Sequence, residues 1–182
     1  MRRRFDNPSG FTLIELMIVV AVMGLAAAMV AQLVLSGVNA WYSGVTGLWA
    51  QREAREARDI LVRNLRQASA STVEISQFNP AQTRDSQVRF VDADGDTQTF
   101  YQSYDELVRT VWKSGSPAGQ LATYVLIGHG VQDFKVYYPD AKDMSQVGVA
   151  IYEVLYPKAG LDESKQNPVA IQVNATVQLR NP

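Results

Sequence analysis

"PSGFTLIELMIVVAVMGLAAAMVAQLVL", residues 8–35, is the stretch that decides the fold of this chain. Residues 11–35 form one apolar run whose only charged member is Glu15. As a helix, the run would extend about 37 Å at about 1.5 Å per residue, which exceeds the roughly 30 Å hydrocarbon core of a bilayer. The run therefore predicts a membrane-spanning helix that carries one carboxylate near its start.

The residues before the run predict its orientation and its processing. Arg2, Arg3 and Arg4 favour a cytoplasmic amino terminus, because basic flanks stay inside. A secretory signal has a small-residue cleavage site after its apolar core, and no convincing site follows this run. Gly10 lies before the run instead, and together with Pro8 it keeps the approach extended and accessible. Cleavage at this boundary would remove a basic leader and leave the span attached.

The segment GFTLIELMIVV resembles the class III signal of type IV pilins and type II secretion pseudopilins. Gly10 matches the residue before the cut, Phe11 the first mature residue and Glu15 the glutamate at the fifth mature position of that signal. The resemblance implies that a prepilin peptidase, which is also a methyltransferase, cleaves between Gly10 and Phe11. It implies that the same enzyme methylates the new amine of Phe11. It also implies that Glu15 pairs with the Phe11 amine of an adjacent subunit during assembly.

The physical chemistry of Glu15 agrees with an assembly role. A carboxylate in hydrocarbon costs roughly 2.5 to 3.5 kcal/mol on insertion scales, and it is normally kept only with a partner or a function. The Phe11 amine that cleavage creates lies about one helical turn away, so a pair within one chain is also conceivable. The alternative is a plain anchor whose Glu15 reaches toward the lipid headgroups. We favour the pair between subunits because the whole motif surrounds Glu15.

One residue departs from the pattern of major pilins, which usually carry a proline in the middle of the span. This sequence has Gln32 at that place. Without the proline, a bend would have to use Gly24, or Gly37, Gly44 and Gly47 further on. The departure favours a minor pilin or a pseudopilin.

Small and apolar residues recur at helical spacing after the span, with arginines and acids on the remaining faces. The predicted face consists of Ala50, Ala54, Ala57, Ile60, Leu61, Asn64, Leu65 and Ala68. We expect one helix from about residue 11 to about residue 70, weakened at residues 36–37 and 44–47, whose second half docks on the residues that follow.

The remainder of the chain has the alternation of β-strands. An Asp-Gly turn in QVRFVDADGDTQTFYQS predicts a hairpin, and residues 169–179 alternate with a period of two. We expect four to six strands and an α+β fold, in which the long helix packs on an antiparallel β-sheet head, as in pilins. The order of these elements is similar to that of W-type minor pilins and J-type pseudopilins.

The predicted organisation therefore has four segments. Residues 1–10 form a cleaved leader, and residues 11–35 form a transmembrane or filament-core helix. Residues 36–70 continue as an amphipathic helix, and residues 71–182 form a β-rich periplasmic or extracellular head.

Few residues suggest chemistry in the head. Asp92, Asp94 and Asp96 are weak candidates for a calcium site, because hard cations prefer clustered oxygen ligands. An EF-hand is excluded by Thr97 and Ser103, which occupy its glycine and glutamate positions, so a hairpin turn is the preferred interpretation. The chain has no cysteine and no nucleophile, phosphate-loop or zinc signature. We expect neither an enzyme nor a cofactor.

Two other residue types have open interpretations. His129, the only histidine, lies between two glycines and is more typical of a structural or solvated residue than of a catalytic one. Trp41 and Trp49 follow the span closely, where they serve as interfacial anchors or, for Trp49, as part of the core.

These features predict a membrane-anchored structural subunit of a filament. The preferred function is a minor pilin of a type IV pilus-like filament, and the first alternative is a J-like type II secretion pseudopilin at a pseudopilus tip. A second alternative is a signal-anchored periplasmic binding or enzymatic domain.

Expected partners are the prepilin peptidase/methyltransferase, other pilin or pseudopilin subunits, an inner-membrane assembly platform and membrane lipid. The formal net charge of −1 gives no reason to expect nucleic acid. The expected location is the bacterial inner membrane, single-pass with a periplasmic head, and then the filament.

Overall fold

The computed structural model describes residues 11–82, 85–115, 121–155 and 168–179. Within those ranges one long helix, α1 (Leu13–Gln67), precedes a short 3-10 turn (Ala70–Thr72) and eight strands. The strands are β1 (Glu74–Ser76), β2 (Gln87–Val91), β3 (Thr97–Ser103), β4 (Glu106–Trp112), β5 (Leu121–Ile127), β6 (Val131–Tyr137), β7 (Gln146–Leu155) and β8 (Val169–Gln178). The predicted α+β class, a long helix with antiparallel sheet, is confirmed.

The chain divides into two compact units, Met1–Trp41 and Tyr42–Pro182. In the first unit every described side chain is exposed. Of the helices in the described ranges, α1 is long and apolar enough to cross a membrane, and none of its most apolar window is buried. The helix runs without interruption through Gly37, Gly44 and Gly47, where the sequence predicted weakness. The four predicted segment boundaries stay a prediction.

Five strands of the second unit form an antiparallel sheet in the order β1-β2-β3-β4-β5. The predicted Asp-Gly hairpin joins β2 to β3, and Gly95 has φ of 84°, a left-handed conformation that glycine adopts without strain. The backbone N–H of Asp92 donates to the carbonyl of Asp96 at 3.0 Å and closes this hairpin.

The other three strands form a separate antiparallel sheet in the order β6-β7-β8. The sequence predicted one sheet and four to six strands, whereas the described ranges contain two sheets and eight strands. The difference has a physical reason: alternation identifies each strand and its inward face, but the partner of each strand depends on contacts between distant residues.

The second part of α1 docks the face that the sequence predicted. Its buried residues are Ala50, Ala54, Ala57, Leu61 and Leu65, and Ala68 is buried just beyond the end of the helix. They belong to two apolar clusters. The larger one joins Leu61 and Leu65 to both sheets, and the smaller one joins Ala50 and Ala54 to Leu155, Ile171 and Val173.

A polar contact accompanies this packing. The Nε2 of Gln98, a buried residue of β3, donates to Oδ1 of Asn64 on α1 at 3.3 Å. The Nδ2 of Asn64 donates to the carbonyl of Ile60 at 2.7 Å. Asn64 therefore stays on the docked face because both ends of its amide have a partner.

Candidate functional site

Glu15 is hydrogen-bonded to Thr12 at the start of α1. The backbone N–H and the Oγ1 hydroxyl of Thr12 donate to Oε2 of Glu15 at 2.9 Å and 3.0 Å. The backbone N–H of Glu15 donates back to Oγ1 of Thr12 at 3.4 Å. These reciprocal bonds form a capping box, in which two side chains satisfy N–H groups that have no partner within the helix.

The capping box explains why the helix begins at Leu13. Thr12 precedes the first helical residue, and Glu15 occupies the third helical position. A Thr three residues before a Glu, followed by an apolar run, is a local sequence signal for this arrangement. The sequence analysis treated Glu15 only as a charge in the membrane and missed its role as a cap.

Phe11 and Glu15 lie on the exposed surface of the first unit, and Gly10 lies outside the described residues. In the chain before cleavage, the nitrogen of Phe11 belongs to a peptide bond, so it carries no positive charge. An ion pair between Glu15 and this nitrogen therefore requires cleavage after Gly10 first. The assignment of Gly10 and Phe11 to the cleavage site, of Phe11 to methylation and of Glu15 to the charge pair stays a prediction.

A family model described as the prokaryotic N-terminal methylation motif matches residues 6–31. This chain carries that motif. The motif confirms the resemblance to the class III signal of type IV pilins and pseudopilins, and it supports a protein of pilin or pseudopilin type that is processed as a prepilin. Neither the curated proteins nor the solved structures contain a match to the chain.

The methylation motif also has consequences for partners and location. It implies processing by a prepilin peptidase and assembly with other pilin subunits. An apolar helix that begins within the motif is suited to a membrane anchor, and a pilin-type motif fits the inner membrane and a filament.

Two aspartates of the DADGD turn accept hydrogen bonds from backbone N–H groups, Asp92 within its own hairpin and Asp96 from the residues that follow β4. Oδ1 of Asp92 accepts from the backbone N–H groups of Asp94 and Asp96 at 3.1 Å and 2.9 Å, and its Oδ2 accepts from Gln98 at 2.6 Å. Oδ1 of Asp96 accepts from the N–H of Ser114 at 2.8 Å. Across the ranges that the structure describes, no group of three His, Cys, Asp or Glu side chains is placed to hold a metal ion.

The remaining candidates lie apart from the methylation motif. His129 is exposed in the connection between β5 and β6. Trp41 is exposed, and Trp49 is exposed rather than part of the core, with the guanidinium of Arg52 5.9 Å from its ring centroid.

A buried glutamate in the second unit was missed by the sequence analysis. Glu153 on β7 has no exposed surface, and within the described residues its carboxylate oxygens have no hydrogen-bond partner. Burial raises the pKa of Glu153 to about 7, and the nearby charge of Glu53 acts in the same direction. The period-two alternation of VGVAIYEVL places this residue in phase with Val149 and Ile151, which is the signal that could have found it.

Proposed function

We propose that this chain is a minor pilin subunit of a type IV pilus-like filament and that its function is structural. The observation that carries the proposal is the methylation motif at residues 6–31 on an apolar helix whose described side chains are all exposed in the first unit. An exposed apolar helix of this length needs lipid or other apolar helices around it. A subunit that leaves the membrane for a filament exchanges lipid for the apolar helices of other subunits.

Gln32 supports a minor rather than a major subunit. It stands in the exposed part of α1 where major pilins usually have a proline, and the helix is continuous there. A regular helix satisfies its own backbone hydrogen bonds, whereas a proline removes one and bends the axis. This subunit would therefore enter the filament core as an unbroken helix.

The charge pair at Glu15 is the proposed assembly contact. Both bonds from Thr12 end on Oε2, so the carboxylate can keep the capping box while Oε1 accepts from the Phe11 amine of a neighbouring subunit. In hydrocarbon such a pair forms only where both groups reach the same depth. It would thereby fix the axial position of one subunit relative to the next.

The first experiment tests processing. Intact mass spectrometry of the protein from cells with active prepilin peptidase should give a chain that begins with N-methyl-Phe11. A peptidase-deficient strain is the control and should retain residues 1–10. Retention of the leader in the active strain would overturn the proposal and favour a signal-anchored periplasmic domain.

The second experiment tests the charge pair through Glu15→Val. We predict that the variant inserts and is cleaved, because the span becomes more apolar, but that its amount in sheared filaments falls about tenfold or more through loss of the pair. Gln32→Leu is the matched control, since it also makes the exposed span more apolar but keeps Glu15. Wild-type amounts of Glu15→Val in filaments would contradict the assembly role.

A deletion strain separates the minor pilin from the type II secretion pseudopilin. Loss of surface pili with normal protein secretion supports the minor pilin. Loss of secretion with normal pili assigns the chain to a pseudopilus instead, and leaves the processing and charge-pair steps unchanged.

We also propose that the chain is not an enzyme and that the peptidase and methyltransferase chemistry belongs to its maturation partner. The support is the absence of cysteine and of a nucleophile motif in the sequence, together with a single histidine.

A further inference from the structure

Glu153 lies on the central strand of the three-stranded sheet, in a buried position where a charge is hard to accommodate. Its strand is hydrogen-bonded on both sides, and Glu153 is paired with Val131 of β6 and with Ile171 of β8. Its carboxyl group faces inward, has no exposed surface and has no hydrogen-bond partner among the described residues. A buried carboxyl group without partners is stable only in its neutral form.

The elements around Glu153 provide no described cation to neutralise it. On α1, Glu53 is the charged group that acts on it, and Oε1 of Glu53 accepts from the backbone N–H of Gly128 at 3.1 Å. On β6, Asp133 and Lys135 lie on the opposite face and are joined at 2.6 Å, and β8 has no ionisable residue. His129 in the preceding connection is exposed. Deprotonation would therefore place a second carboxylate beside Glu53.

We propose that Glu153 is a proton-dependent latch: while it is protonated, the turns of α1 at Ala50 and Ala54 dock on the three-stranded sheet, and loss of the proton loosens them. The proposal is independent of the minor pilin assignment, because it concerns only the second unit.

When Glu153 loses its proton, α1 should move rather than the strands of the sheet. Separating β7 from its neighbours would break the backbone ladder on both sides of Glu153. By contrast, the turns of α1 at Ala50 and Ala54 contact the sheet only through side chains, and Glu53 accepts one hydrogen bond from Gly128 in the connection between β5 and β6. Leu61 and Leu65 are fully buried in the larger cluster and hold the next turns in place. The loosening should therefore be confined to the turns before Ala57.

The direction of the pH dependence follows from proton linkage. In the docked state the pKa of Glu153 is about 7, and in the loosened, solvated state it returns toward 4.5. Between these values the loosened state releases its proton while the docked state keeps it, so docking weakens as pH rises and changes little above 7. For these two values the docking equilibrium falls about seventyfold from about pH 5 to about pH 8.

Hydrogen exchange of the full chain in detergent micelles tests the latch. Protection factors for the amides of residues 50–57, corrected for the intrinsic pH dependence of exchange, should fall by at least about tenfold between about pH 5 and pH 8. Amides of β3 and β4 should lose less protection than those of residues 50–57. An unchanged factor at residues 50–57, or an equal fall throughout both sheets, would overturn the proposal.

Substitutions identify the group responsible. Glu153→Gln is neutral at every pH and should keep the same protection at both values, and Glu53→Gln should reduce the change by removing the repulsion. Glu56→Gln removes an exposed carboxylate of the same helix and should behave as wild type. If Glu153→Gln folds poorly, Glu153→Leu provides the same test without a polar group. A wild-type pH dependence in a folded neutral variant would contradict the latch.

Discussion

Glu15 and Glu153 show how the surroundings of a carboxylate decide its role. Glu15 is exposed at a helix start, where the N–H and hydroxyl of Thr12 bind one of its oxygens. Glu153 lies inside the second unit, where the neighbouring side chains of the sheet are apolar. The first carboxylate has hydrogen-bond donors beside it, whereas burial among apolar side chains favours the protonated form of the second.

We predict that Thr12→Ala frays the first turn of α1. The substitution removes the hydroxyl that donates to Glu15 and accepts from its backbone N–H. The loss of such a cap typically costs about 0.5 to 2 kcal/mol. Amide exchange of residues 13–16 in micelles should become several-fold faster.

Thr12→Ser is the control for this prediction. Serine retains the hydroxyl, so its exchange rates should stay close to wild type. Equal rates in the alanine and serine variants would show that the hydroxyl does not stabilise the helix start.

At the scale of single elements, β6 is preceded by a glycine that other residues cannot replace without strain. Gly130 has φ of 89°, and an added Cβ would lie 2.6 Å from Cδ2 of Leu155 and 2.9 Å from the carbonyl oxygen of Val154. The carbonyl of Gly130 also accepts from the N–H of Val154 at 2.8 Å. This glycine thus permits close approach between the start of β6 and the end of β7.

We predict that Gly130→Ala destabilises the second unit by about 2 kcal/mol or more. The substitution combines a left-handed backbone with a clash against a neighbouring strand. Gly128→Ala is the matched control, because an added Cβ there has no atom within 4 Å and the backbone N–H to Glu53 is kept. Urea denaturation of the two variants, side by side, measures the difference. Similar midpoints for both would contradict the argument.

For the whole molecule, we predict that a fragment comprising Tyr42–Pro182 folds alone and is soluble without detergent. Both apolar clusters lie within this unit, and the exposed apolar residues of the first unit are removed. Circular dichroism and a cooperative urea transition provide the measurement. A fragment that begins at residue 58 is the comparison, and it should be less stable because it lacks Ala50, Ala54 and Ala57. Aggregation of the longer fragment would contradict the prediction.

The stability of the second unit should have a maximum near pH 4 to 5. The pKa of Glu153 is raised to about 7 from 4.5, so its contribution to stability falls by about 3 kcal/mol as pH rises between these values. Hydrogen bonds from Ser145 lower the pKa of Asp143 below 3.8, so the stability that Asp143 contributes is lost as pH falls below that value. Urea midpoints measured across this range check both slopes. Glu153→Gln should remove the decline in stability above about pH 5 and leave the loss of stability at acid pH, which Asp143 causes, unchanged.

Local patterns predicted much of this architecture. The spacing of Ala50, Ala54, Leu61 and Leu65 predicted the docked face of α1, and Asp-Gly predicted the β2–β3 hairpin. These features depend on residues within a few positions of one another. The division into two sheets and the burial of Glu153 depend on contacts between distant residues, which alternation alone does not specify. At the candidate site, the motif was visible in the sequence, whereas the capping geometry required the helix start.

Ala50 and Ala54 affect how α1 responds to a force along its axis. Methyl groups at Ala50 and Ala54 let α1 approach the sheet closely, but they offer little shape to interlock with the side chains opposite. Such a contact defines how near the helix lies without defining its position along its own axis. The position along the axis is set by later residues of the helix: Leu61 and Leu65 in the larger cluster, and Asn64 through its hydrogen bond with Gln98. A pull along the helix from its amino-terminal end would therefore meet the single bond between Glu53 and Gly128 first, and most of the resistance would come from Leu61, Asn64 and Leu65.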